Sequence, residues 1–191
     1  MTDRDLLAAY AESRDVESLG AFLGRYQDSL VRFVSGYLQD ENAAQDIVQE
    51  TFLRVARHPQ RLLDVSNCHN WLLRVARNLS VDHLRGVIRR RKHTAAYARQ
   101  RAAEAAAREA SLAEPADAAV EREEVRRRVR EEIRQLNPRL KELMLLKVQE
   151  GKTYREIAGI TGLSVTNVGY LLHRAMKTLA VRLKDLREDR E

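Results

Sequence analysis

The chain has 191 residues, with 34 Lys and Arg against 28 Asp and Glu, a formal net charge of +6 and a pI near 9.7. That length suits one or two small cores and excludes a large multidomain enzyme, while the basic balance points to a polyanionic partner without choosing between nucleic acid and an anionic surface. The single cysteine, Cys68, rules out an intrachain disulfide and fits a reduced, cytoplasmic setting; no apolar run is long enough for a signal peptide or a membrane span.

Gly totals only 8 and Pro 3, and Ala, Leu, Arg and Glu abound, so an all-α fold is expected. Leu19, Phe22, Leu23, Tyr26, Leu30, Phe33, Val34, Tyr37 and Leu38 recur at steps of three and four, which predicts a helix with one buried stripe, broken at Asp40. Ala44, Ile47, Val48, Thr51, Phe52 and Val55 predict the next helix, 42–57, with Asp46, Gln49, Glu50 and Arg54 pointing elsewhere and Pro59 ending it. Residues 60–70, QRLLDVSNCHN, have loop chemistry, and Asn70 is expected to cap a helix from Trp71 to about Arg85. Together these helices, over 15–85, would form the core of a first domain, 1–86.

The composition then changes. A basic cluster, Arg89 to Lys92, leads into an Ala-rich, Leu-poor stretch with little apolar surface to bury, which predicts a flexible linker over 87–120. A second domain, 121–191, starts with a Val125, Val129, Ile133 and Leu136 stripe. Asn137 before Pro138 is a strong helix start, and the helix it opens carries Leu140, Leu143, Met144 and Val148 as far as Gly151.

The stretch TYREIAGITGLSVTNVGYLLHRA, 153–175, reads as helix, glycine turn and helix. Thr153 and Glu156 have capping-box spacing, Gly162 suits the left-handed turn and Ser164 can cap the second helix. Ile157, Ala158, Leu163, Val168 and Leu172 would close the small core between them. This is the pattern of a helix-turn-helix, whose second helix enters the DNA major groove. Its exposed face would carry Thr166, Asn167, Tyr170, His173, Arg174 and Lys177. Asn can pair with adenine, Arg and Lys with guanine or phosphate, and Thr and Tyr with phosphates or thymine methyls. An ordinary amphipathic hairpin is the competing reading.

The front stretches DENAAQDIVQETFLRVAR and NWLLRVARNLSVDHLR resemble region two of the extracytoplasmic-function sigma factors of bacterial RNA polymerase, and LNPRLKELMLLKVQEGKTYREIAGITGLSVTNVGYLLHRAMKTL resembles their region four. The resemblance implies a region-two helical bundle and a region-four helix-turn-helix joined by the linker. It further implies that Asp46, Gln49 and Glu50 dock on the clamp helices of core RNA polymerase, although alone they read as a solvated helix face, and that Phe52 is core. The loop and helix carrying Ser66, Asn67, His69, Asn70, Arg74, Arg77, Asn78, Asp82 and Arg85 would hold single-stranded downstream promoter DNA, with a flipped base in a small polar pocket. Trp71 could stack on a base but reads better as core. Ser164, Thr166, Asn167, Tyr170, His173, Arg174 and Lys177 would read the duplex upstream element. The chain has Gly169, Tyr170 and Leu171 where many members have a triplet such as Lys-Ser-Arg, so a different upstream sequence is expected. A mid-helix Gly169, costing about 1 kcal/mol relative to Ala, suggests a close approach to a neighbour.

The implied function is an alternative sigma factor, not an enzyme, that directs initiation and promoter melting, with an anti-sigma factor as a further partner. No cofactor is expected, and Cys68 beside His69 cannot supply the spaced ligands of a zinc site. Two rivals remain: a stand-alone helix-turn-helix regulator, and an adaptor using both domains for protein contacts. Hydrolase or transferase activity is disfavoured, since the sequence has no phosphate-cradling glycine loop and no nucleophile motif.

Overall fold

The computed structural model describes residues 1–98, 127–129 and 131–188, with side chains described at 1–90, 127–129 and 131–183. The expected linker from residue 99 onward, the second-domain start at 121 and the Val125 position lie outside the described residues. Among the described residues the regular structure is entirely helical, as the composition requires.

Helix α1 (Asp3–Ser13) was not anticipated, although its start is written as a capping box. The Thr2 hydroxyl accepts from the Asp5 amide and the Asp5 carboxylate accepts from the Thr2 amide. Leu6, Leu7 and Tyr10 bury its inner face. The expected single helix over 19–38 is instead two, α2 (Val16–Gly24) and α3 (Gln27–Leu38). The chain turns at Arg25 and Tyr26 because both side chains reach back to Asp3, Arg25 at 2.7 Å, and Gly24 gives little helical resistance to the break.

Helix α4 (Glu41–Arg57) begins where expected, the Asp40 carboxylate accepting from the Ala43 amide at 3.0 Å. The stretch read as loop contains a single turn, α5 (Gln60–Leu63), seated on buried Leu62. Helix α6 (Cys68–Ala98) starts three residues early. Asn67, not Asn70, caps it by accepting from the Asn70 amide at 2.8 Å, and it continues past residue 86 because nothing there terminates it.

Helical turns at 127–129 and 131–134 precede α7 (Pro138–Met144), which is capped by Asn137. α7 passes into a π turn, Leu145–Gln149, marked by the Glu150 amide donating to the Leu145 carbonyl. The extra residue shifts the helical phase. Leu145 and Leu146 therefore enter the core and Val148, expected inside, is 56% exposed. Helices α8 (Tyr154–Thr161) and α9 (Val165–Glu188) complete the described chain.

The two halves do not stand apart. α3 packs against α7 and the π turn, α6 packs against α8, and one apolar cluster runs from Phe33 and Leu72 through Leu143 and Leu146 to Ile157 and Leu172. Gly36 makes the closest approach possible: a Cβ there would lie 3.0 Å from Leu145 Cδ2.

Candidate nucleic-acid interface

The helix-turn-helix forms as its sequence dictates. The Glu156 carboxylate accepts from the Thr153 amide at 2.9 Å, while the Thr153 hydroxyl accepts from the Glu156 amide. The Thr153 amide, the Asn70 carboxamide and the Thr153 hydroxyl together hold the Glu156 carboxyl down at about 2. Gly162 adopts φ +74° and ends α8. Ser164 acts as the cap of α9, accepting from the Asn167 amide at 3.2 Å. Ile157, Val168 and Leu172 are buried, with Ala158 and Leu163 half-buried beside them. Thr166, Asn167, Tyr170, His173, Arg174 and Lys177 are all exposed. The nearest neighbour of Gly169 is the Tyr154 ring, 3.5 Å from where a Cβ would sit, which is an ordinary contact, so the close approach expected at this glycine is not found within the motif.

The downstream set divides in two. Ser66 and Asn67 stand exposed on the loop before α6, beside an open groove of about 680 Å³ whose walls include Asp3, Tyr26 and His69. Burial and the adjoining Asp3 carboxylate push the Tyr26 phenol well up, so it remains a donor. Arg74, Asn78, Asp82 and Arg85 are exposed along α6, Asp82 and Arg85 forming a surface pair at 3.2 Å. Trp71 is half-buried against the core at the edge of a second groove between the loop and α8. Cys68 is buried, which raises its thiol pKa, and no His, Cys, Asp and Glu cluster suited to a metal ion occurs among the described residues.

The other three residues of this set are drawn under the second domain. Arg77 Nε donates to Glu142, whose side chain is 1% exposed. Asn70 Nδ2 donates to Glu156 at 3.0 Å. His69 lies between Lys152 Nζ, 2.9 Å from Nδ1, and Ser29 Oγ, 2.6 Å from Nε2, with Glu150 3.3 Å beyond. A lysine ammonium can only donate, so Nδ1 accepts and the ring proton sits on Nε2 facing Ser29 and Glu150. Ser29 in turn donates to Glu150. Burial opposes the charge on Glu150, but hydrogen bonds from His69 and Ser29 outweigh it and hold its carboxyl below the usual range; burial also lowers Lys152.

Ser29, Glu142, Glu150 and Lys152 escaped the sequence reading. The one visible signal was Gly36, a glycine inside a strongly apolar helix. The seam between the domains also leaves three buried acceptors without a protein donor, Asn70 Oδ1, Gln149 Oε1 and Glu150 Oε1. Each such group costs about 1–3 kcal/mol, so the seam is held by good contacts and weakened by imperfect ones.

On α4, Asp46 and Gln49 are exposed, whereas Glu50 is half-buried and bound to Arg54 at 3.1 Å. Phe52, expected in the core, is half-buried and lines a groove between α3 and α4 with Val31, Val48 and Gln49. An apolar floor with exposed acidic and amide side chains at its edge is suited to receiving a helix.

Two helical units in this order, the second ending in an exposed helix-turn-helix, define the class: a bipartite protein, all-helical among the described residues, with a helix-turn-helix in its second unit. Residues 22–92 match the family model for Sigma-70 region 2, and residues 126–179 match that for Sigma-70, region 4. The two matches together span more than half of the chain, which belongs to the Sigma-70 family. Its sequence is 39% identical to the ECF RNA polymerase sigma factor SigC of Mycobacterium tuberculosis over 88 residues, 46% of this chain and 47% of that protein. The matching segment is thus about half the length of that relative. The fold is shared with CnrH, solved in complex with the cytosolic domain of CnrY, at TM-score 0.65 and 21% identity, covering 96% of this chain and 97% of that one. It is shared too with the sigma factor RpoE of Bartonella quintana, solved with the anti-sigma factor NepR, at TM-score 0.58 and 20% identity, covering 82% and 91%.

Proposed function

We propose that the chain is an alternative sigma subunit that binds bacterial core RNA polymerase, brings it to a particular set of promoters and captures melted DNA, acting by binding and not by catalysis. The observation that carries this reading is the presence of both sigma regions in order on one chain, with the recognition face of α9 fully exposed. The first domain, 1–86, would dock through Asp46, Gln49 and Glu50 at the α3–α4 groove and hold the downstream strand at Ser66, Asn67, His69, Asn70, Arg74, Arg77, Asn78, Asp82 and Arg85. The second, 121–191, would read the upstream duplex through Ser164, Thr166, Asn167, Tyr170, His173, Arg174 and Lys177. Melting is then driven by preferential capture of unstacked bases over stacked ones. Because structural neighbours have been solved with an anti-sigma factor or another cytosolic domain, an anti-sigma partner is proposed for this chain as well.

The deciding experiment is reconstitution with core RNA polymerase on a genomic DNA library, followed by start-site mapping. Co-elution with new, promoter-specific starts supports the reading; no polymerase binding together with tight duplex binding by the free chain would replace it with a stand-alone regulator. Within that experiment, Asp46→Arg with Glu50→Arg is expected to weaken polymerase binding about tenfold by turning a complementary face repulsive. Unchanged affinity would remove both residues from the docking surface.

A further inference from the structure

Three carboxylates of the second domain face three of the residues proposed for the downstream strand: Glu142 meets Arg77, Glu150 meets His69 and Glu156 meets Asn70. A DNA strand offers these side chains the same chemistry, anionic oxygens for the guanidinium and imidazole and an acceptor for the carboxamide. We infer that Glu142, Glu150 and Glu156 form an internal stand-in for single-stranded promoter DNA, so that the free chain holds His69, Asn70 and Arg77 of its downstream face shut under its own second domain. The inference rests on the sigma reading above, which supplies the single strand as competitor.

Four features support it. The contacts join residues 65 to 86 positions apart in sequence, so they are not incidental pairs along one helix. Glu142 and Glu150 have side chains only 1% and 2% exposed, unlike the solvated pairs on α4 and α6. Gly36 accepts Leu145 at a distance that a larger side chain would obstruct, an apolar fit independent of the charges. The orphaned acceptors at Asn70, Gln149 and Glu150 leave closure reversible, because separation lets each find a donor. The mimicry is also selective. It covers only the face needed after melting, while the duplex-reading face of α9 stays open.

The test uses the full chain. Spin labels are placed at Leu53→Cys and Met176→Cys, both exposed positions, in a Cys68→Ala background, and the distance distribution of the free protein is measured by pulsed dipolar spectroscopy. Two variants attack the seam from different sides: Glu142→Gln with Glu150→Gln removes the charges, and Gly36→Leu drives a wedge against Leu145 while raising helix propensity in α3. Each variant, with helicity unchanged, is expected to shift the narrow wild-type distribution to a broad, longer one. Without labels, each should bind a single-stranded non-template oligonucleotide spanning a mapped start site about tenfold to a hundredfold more tightly, as expected when a minor open state becomes dominant. A wild-type distribution that is already broad, or folded variants that leave distance and affinity unchanged, would overturn the inference. Initiation by the wild-type chain with core polymerase is scored in parallel. If that fails, the sigma reading falls and the distances alone decide whether the seam closes.

Discussion

The two proposed DNA faces are built from the same residue types and held in opposite ways. On α9, Asn167, His173 and Arg174 project into solvent, away from the first domain's side chains. On α6, Asn70, His69 and Arg77 are bound by side chains of another domain, and Arg77 is only 15% exposed. A recognition residue can therefore be an ornament of its own element or a structural member of the whole, and the two should respond differently to substitution.

The sharpest contrast compares two arginines. Arg77→Ala leaves Glu142 buried without its main partner and is expected to lower stability in urea by about 3–5 kcal/mol, whereas Arg174→Ala, removing an exposed group, should stay within about 0.5 kcal/mol. Equal losses would erase the distinction. The recognition side reverses the order of importance: Asn167→Ala and Arg174→Ala should each reduce upstream-element affinity of the holoenzyme by about 1–3 kcal/mol per base contact, read by footprinting, with promoter preference altered. An unaltered preference would take α9 out of the major groove.

Smaller effects separate the motif from the seam. Thr153→Ala removes the hydroxyl half of the capping box and should cost about 1 kcal/mol in urea unfolding, most of it local to α8. The acid limb of stability provides a further probe. Glu156 has its carboxyl lowered from 4.5 to about 2 by the Thr153 amide, Asn70 and the Thr153 hydroxyl, so its contribution is present above about pH 4.5 and is lost as pH falls toward 2. Glu150, also lowered, acts in the same direction. Urea midpoints followed from pH 5 to pH 3 should fall, and Glu156→Gln should flatten that fall; an equally steep limb in the variant would place the acid sensitivity elsewhere.

What could be read from the sequence follows from how local each cause is. The all-helical class follows from composition, while the Asp40 and Asn137 caps, the Thr153–Glu156 box and the Gly162 turn are each specified within four residues, and all formed among the described residues. The α2–α3 break was hidden because it depends on Asp3 binding Arg25 and Tyr26 from more than twenty residues away. Asn67 displaced Asn70 as the α6 cap because two suitable residues lay three apart and only packing chose between them. The π turn was invisible to a fixed 3.6-residue period, and with it the burial of Leu145 and Leu146. The exposure of Thr166, Asn167, Tyr170, His173, Arg174 and Lys177 on α9 was legible from the helical period. The covering of His69, Asn70 and Arg77 was not, since no periodicity records what a distant carboxylate will meet. Gly36 is the local feature that could have pointed to a close approach on α3.

The long sequence separation across the seam also sets an order of events during synthesis. Glu142 is made 65 residues after Arg77, which at about 5–20 residues per second is a delay of roughly 3–13 s, and exit from the ribosome preserves that order. Phe22, Phe33, Leu72 and Leu73, all buried, leave the ribosome before Glu142 does, while the face proposed for the strand is still uncovered. The proposed closure thus waits for residues 142–156, and a nascent chain that has not reached them meets the cell with that face open.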